Sequence, residues 1–137
     1  QKDFSNCAGT LLTHDHRYIL NQWWINYQKQ NEFNPIHDHS GVYSFVIWMQ
    51  IPYDAKKQRD LPFVKSSNSP RASAFEFTYL DILGHLCHSA YDASEGYMLF
   101  FPSKLKHQVY PFYKCSKERI SINGNIYLDS REIVYRK

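Results

Sequence analysis

Six of the seven histidines in this chain come in close pairs: His14 with His16, His37 with His39, and His85 with His88. In an extended strand, residues i and i+2 project to the same side. His37 and His39 can therefore aim two imidazoles at one point while Asp38 between them faces away. That suits two ligands of a metal ion, whose donors must converge to about 2 Å. The lone His107 can supply a third ligand if the fold lays a late strand beside an early one. Further on, Arg119-Ile120-Ser121 puts a guanidinium and a hydroxyl on one strand face. That pair suits a carboxylate, because arginine offers a planar fork of donors and serine one more.

The other pairs carry less. His14-Asp15-His16 has no matched partner elsewhere in the chain. His85-Leu86-Cys87-His88 can seed a zinc site, but no second C-x-x-C or H-x-x-x-H completes it. The remaining role for His85 and His88 is to line a pocket and meet substrate, with Trp48 as a further candidate for its wall. Cys7, Cys87 and Cys115 are odd in number and lack paired spacing. They read as free thiols in a reducing cytoplasm. No charged stretch followed by an apolar one marks a leader, although the chain starts at Gln1 rather than at a methionine.

Strands must position these groups. Tyr18–Gln28 holds Tyr18, Ile19, Trp23, Trp24, Ile25 and Tyr27, a strand composition. Residues 31–35 read as a turn. Ile36–Ile51 reads as one long strand, bent near Ser40-Gly41 where glycine permits a bulge. The polar stretch 54–72 reads as an exposed loop and a candidate mobile lid. Further strands are expected over Ser73–Leu80, Ile82–Tyr91, Tyr97–Phe101, His107–Pro111 and Glu118–Leu128, the last alternating around Asn123-Gly124-Asn125, where Asn-Gly is either only a turn or places Asn123 or Asn125 behind the site residues. Ile133-Val134-Tyr135 marks an apolar tail, and Thr10–Leu20 is either a short helix or the lead-in to the first strand. Many short strands and no long amphipathic helix predict an all-β jelly roll with at most a short N-terminal helix.

The ordered set His37-x-His39, Phe100-Phe101-Pro102-Ser103, His107 and Arg119-Ile120-Ser121-Ile122-Asn123-Gly124-Asn125 resembles the iron(II)/2-oxoglutarate oxygenases. Within them it is most similar to a small bacterial and phage branch. Trp24-Ile25-Asn26-Tyr27, Asn34-Pro35-Ile36-His37 and Ser44-Phe45-Val46-Ile47 carry the same likeness, so that it spans roughly residues 22–126. The resemblance implies a double-stranded β-helix (cupin-like) with Fe(II) at one mouth, and 2-oxoglutarate and O₂ as co-substrates. It implies His37 and His107 as ligands and Arg119 and Ser121 as holders of the far carboxylate. Asn26 and Tyr27, on the strand before the histidine pair, either pack in the core or give the oxoacid a further hydrogen bond. The implied reaction is oxidative decarboxylation to succinate and CO₂ with hydroxylation of a substrate C–H bond. The family pattern is His-x-Asp/Glu, and position 39 departs from it. A facial set with one carboxylate identifies non-haem iron oxygenases, whereas three neutral imidazoles leave an extra positive charge and also suit Zn, Ni or Cu.

At 137 residues and 16.3 kDa, the chain fits a single domain over 1–137. Its 43% hydrophobic content supplies a core, and no apolar run approaches the ~20 residues of a membrane helix. A net charge of +3 without a Lys/Arg cluster gives no nucleic-acid signature. Two other functions stay open at this level. One is a cupin-like three-His metalloprotein that uses no oxoacid, and the other is an inactive jelly-roll binding or structural protein.

Overall fold

The computed structural model describes residues 17–129. His14-Asp15-His16, Cys7, most of the Thr10–Leu20 segment and the apolar tail at Ile133–Tyr135 lie outside the described residues. Within them, β-branched and aromatic runs lay down eight strands: β1 (Tyr18–Gln28), β2 (Asn34–His37), β3 (Tyr43–Gln50), β4 (Phe75–Leu80), β5 (Leu86–Tyr91), β6 (Met98–Pro102), β7 (His107–Val109) and β8 (Arg119–Leu128). They form two four-stranded sheets in the orders β1-β8-β3-β6 and β2-β7-β4-β5. Every pairing is antiparallel. This crossing of the chain between two sheets is the jelly roll, mainly β with little helix. No described helix is long and apolar enough to cross a membrane.

The core fills the space between the sheets. Along β3, Ser44, Val46 and Trp48 are buried while the residues between them turn outward. Val46, Trp48 and Phe101 from the first sheet meet Phe75 and Phe77 from the second. Their rings pack edge to face, with Phe77 and Phe101 centroids 4.9 Å apart and Phe75 and Phe77 5.1 Å apart. Each such ring contributes about 1.5–3 kcal/mol by leaving water. On the far face of β4, Glu76 is buried too. Arg71 pairs with its carboxylate at 2.9 Å, and Gln108 donates to it at 2.8 Å.

The outer face of the first sheet is apolar row by row. Trp23, Gly124, Phe45 and Phe100 align across β1, β8, β3 and β6, and Ile25, Ile122, Ile47 and Met98 form the next row. Trp23 is 63% exposed and Phe100 51%.

The single strand expected over 36–51 is two strands in different sheets. Residues 38–42 carry the chain from one to the other, and Gly41 supplies the turn with φ +93°. A Cβ at Gly41 would stand 2.7 Å from the Ile126 carbonyl oxygen. Hydrogen bonds from His39 N–H to the Ser103 carbonyl and from Val42 N–H to the Ile126 carbonyl hold the crossing. The turn expected at 31–35 sits earlier, at 29–32, and Asn34-Pro35 already belongs to β2.

The loop expected over 54–72 is also different. It forms α1 (Ala55–Arg59), capped by Asp54, whose Oδ1 accepts from Lys57 N–H at 2.9 Å, and α2 (Pro62–Lys65), with proline at its start. Buried Gln58 pins α1 to the main chain of Tyr113. Its amide donates to the Tyr113 carbonyl at 2.9 Å and accepts the Tyr113 N–H at 2.8 Å. Helices this short show no 3.6-residue pattern in sequence. β8, by contrast, runs unbroken through Asn123-Gly124-Asn125. Gly124 lies beneath the Phe45 ring, where a Cβ would meet ring carbons at 2.7 Å and the Gln22 carbonyl oxygen at 2.9 Å.

Candidate metal centre

His37 closes β2 and His107 opens β7, and the two are cross-strand partners. His39 follows in the crossing segment, outside any strand, so its approach comes from the turn rather than from a strand's pleat. The three imidazoles meet, and their candidate ligand atoms lie within 4.8 Å of one another. His37 Nδ1 lies 2.7 Å from the Pro35 carbonyl oxygen, and His107 Nδ1 lies 2.9 Å from that of Leu105. A carbonyl only accepts, so each Nδ1 carries the proton and each Nε2 is left bare as a donor atom. His39 Nε2 and His107 Nε2 stand 3.1 Å apart. Two nitrogens bound at right angles to an ion at ~2.1 Å would be about 3.0 Å apart, so the spacing fits a metal ion.

Packing favours the neutral form of His107 and His39. His107 is buried, stacked on Phe75 at 5.2 Å, with Phe101 edge-on at 4.9 Å. Burial pushes its pKa down to about 4; the Leu105 carbonyl opposes this, and His37 and His39 add to it. Burial, and then the neighbouring His37, also lower His39. Asp38 takes no part in the cluster. It points outward to Lys106 Nζ at 2.9 Å and Lys104 Nζ at 3.5 Å, and the Lys106 hydrogen bond holds its carboxyl below the usual range. These two lysines, which flank His107 in sequence, neutralise the one carboxylate that stands between His37 and His39.

A cavity of about 540 Å³ opens beside the cluster. The β1–β8 ladder builds one wall from inward cross-strand pairs: Trp24 with Asn123, Asn26 with Ser121, and Gln28 with Arg119. Asn123 Nδ2 donates to Ser121 Oγ at 3.0 Å, and the Trp24 ring lies 5.5 Å from that of His39. Trp48 and Phe75 make the apolar floor. Arg119 is 4% exposed, and burial lowers its pKa. Its partners are the Gln28 amide oxygen, the Tyr53 hydroxyl and the Ser73 and Tyr110 carbonyls, none of them a carboxylate. A buried cation without an anion is costly and suits an anionic ligand.

The structure thus gathers His37, His39, His107, Arg119, Ser121, Asn26 and Trp48 around one cavity. Tyr27 borders it but is 57% exposed, because the pleat that turns Asn26 and Gln28 inward carries its ring to the outer face. His85 and His88 lie elsewhere. His85 is exposed and paired with Asp81 at 3.0 Å, and His88 contacts Glu76 at 3.1 Å on the outside of the second sheet. No residue of 54–72 lines the cavity. Sequence reasoning missed Gln28 and Trp24; the i, i+2 relation to Asn26 was the available signal.

Fold and cluster together define a class, the jelly-roll proteins with a group of imidazoles able to hold a metal ion. Within it, the chain belongs to the family described as "Putative 2OG-Fe(II) oxygenase", whose model matches residues 22–125. Its fold is similar to that of an oxidoreductase of the 2OG-Fe(II) oxygenase family from Burkholderia pseudomallei, with a TM-score of 0.59, 14% identity and 89% of this chain covered. The match takes in 50% of that protein, so this chain spans about half its length. No curated protein matches. The family's description names Fe(II) and 2-oxoglutarate, and the three-imidazole cluster is chemically compatible with a metal ion.

Proposed function

We propose that the chain is an Fe(II)- and 2-oxoglutarate-dependent dioxygenase that hydroxylates a substrate not yet identified. His37, His39 and His107 hold the metal through bare imidazole nitrogens. Arg119 and Ser121 take the far carboxylate of 2-oxoglutarate, with Asn26 beside them on the same wall. When bound, iron with 2-oxoglutarate and O₂ supplies oxidative decarboxylation and transfer of an oxygen atom to a C–H bond. The protein's part is placement. The carbonyls of Pro35 and Leu105 orient two rings, and Phe75 and Phe101 exclude water from His107. The same reading treats the chain as one jelly-roll domain in a reducing cytoplasm, where Cys87 and Cys115 remain free thiols.

The observation that carries this reading is the pairing of three converging imidazoles with a buried arginine that has no acidic partner among the described residues, in one cavity. Anaerobic titration with Fe(II) and 2-oxoglutarate tests it. A weak visible charge-transfer band should form only with both present and should fade in Arg119→Ala; succinate should form once O₂ is admitted. The second reading, a three-His oxygenase that uses no oxoacid, is favoured by His39 standing where a carboxylate is usual. It predicts metal binding with no band. Absence of metal binding, unchanged by His37→Ala, would sink both and leave a binding or structural protein.

A further inference from the structure

Gln28 and Arg119 face each other at the end of the β1–β8 ladder. All five guanidinium N–H groups are engaged there. Nε donates to Gln28 Oε1 at 3.0 Å and Nη2 donates to the same oxygen. Nη1 donates to the Tyr53 hydroxyl at 2.8 Å and the Ser73 carbonyl at 2.9 Å, and Nη2 also reaches the Tyr110 carbonyl at 3.3 Å. Two of these acceptors are main chain. A third is the hydroxyl of Tyr53, whose ring packs 4.7 Å from that of Phe112. Only Gln28 among the four lines the cavity. Its oxygen bridges Nε and Nη2, the edge of the fork on which a carboxylate docks. The other end of its amide donates to the Glu32 carbonyl at 2.6 Å, which holds the side chain in place.

We propose that Gln28 is a displaceable stand-in for the far carboxylate of 2-oxoglutarate, occupying the Nε and Nη2 edge of Arg119 until the dicarboxylate takes its place. The inference rests on the function proposed above. The exchange has a physical drive. A neutral acceptor gives way to a charged one, which makes hydrogen bonds roughly twice as strong and gives the buried cation a counter-charge. Gln28 therefore sets the affinity for the co-substrate by competing with it, and selects a 2-oxoacid that carries a second carboxylate.

Anaerobic calorimetric titration of the Fe(II)-loaded chain separates the possibilities. The probes are 2-oxoglutarate and 2-oxopentanoate, which lacks the far carboxylate. Gln28→Ala should tighten 2-oxoglutarate by about tenfold, the scale of one hydrogen bond to a charged group, and leave 2-oxopentanoate unchanged. Gln28→Asn, whose shorter amide cannot bridge the fork and whose polarity suits the same wall, should move in the same direction. Gln28→Glu should weaken 2-oxoglutarate, because a fixed carboxylate repels the incoming one. Weaker or unchanged 2-oxoglutarate binding in both Gln28→Ala and Gln28→Asn overturns the stand-in while leaving the proposed function intact. Failure of 2-oxoglutarate to bind the unaltered chain and every variant overturns both.

Discussion

An imidazole has two nitrogens, and at His37 and His107 a main-chain carbonyl takes up one of them. The second nitrogen is therefore committed before any ion arrives, and burial keeps His107 uncharged at neutral pH. His39 is held differently, through its own N–H on the Ser103 carbonyl and a ring set against Trp24. His37→Ala and His107→Ala should each lower Fe(II) affinity more than about a hundredfold, since even changes to ligand-orienting neighbours cost 10–100-fold. Asp38→Asn should leave that affinity unchanged, because its carboxylate points to Lys106 and Lys104. Equilibrium dialysis without oxygen measures both. A large loss in Asp38→Asn would mean that this carboxylate reaches the ion after all.

β8 is the element on which most of the molecule converges. It pairs with β1 on one side and β3 on the other, and presents Arg119, Ser121 and Asn123 to the cavity. Gly124 lets Phe45 lie against it, so Gly124→Ala should destabilise the fold by about 1–3 kcal/mol, the usual range for overpacking. A shift in the urea midpoint at constant slope checks this; no shift would mean that the ring moves aside freely. Elements with a long repeating pattern were legible in the sequence. Tyr18–Gln28 has the bounds that its aromatic and β-branched residues suggest, and Glu118–Leu128 differs by one residue. Short elements were not. Five- and four-residue helices fix too few positions to show a period, and 36–51 reads the same whether it is one bent strand or two. In the cavity, motif order pointed to the histidines and Arg119. Gln28 stayed hidden because its role depends on a register with Arg119, 91 residues away.

For the molecule as a whole, the two sheets present contrasting outer faces. The second covers Glu76, His88 and Gln108 with a polar network, whereas the first shows Trp23, Ile25, Met98 and Phe100 to solvent. Contiguous apolar patches of this kind bind dyes and promote association. The chain should enhance the fluorescence of an anilinonaphthalene sulfonate dye, and Trp23→Lys with Phe100→Lys should reduce that signal without lowering the melting temperature. An unchanged signal would place the dye elsewhere. The cavity between the sheets has a charge imbalance of its own. Glu32 is the one acidic residue among its lining, and its carboxylate accepts the Lys29 N–H at 2.8 Å. Facing it are Arg119 and three imidazoles with no carboxylate among them, so that a divalent ion bound there, as proposed, would leave the cavity net positive. Such a cavity concentrates small anions whatever their identity. The choice of buffer then becomes a variable of the chemistry: sulfate or phosphate should raise the apparent dissociation constant for 2-oxoglutarate, while a zwitterionic buffer of equal conductivity should not.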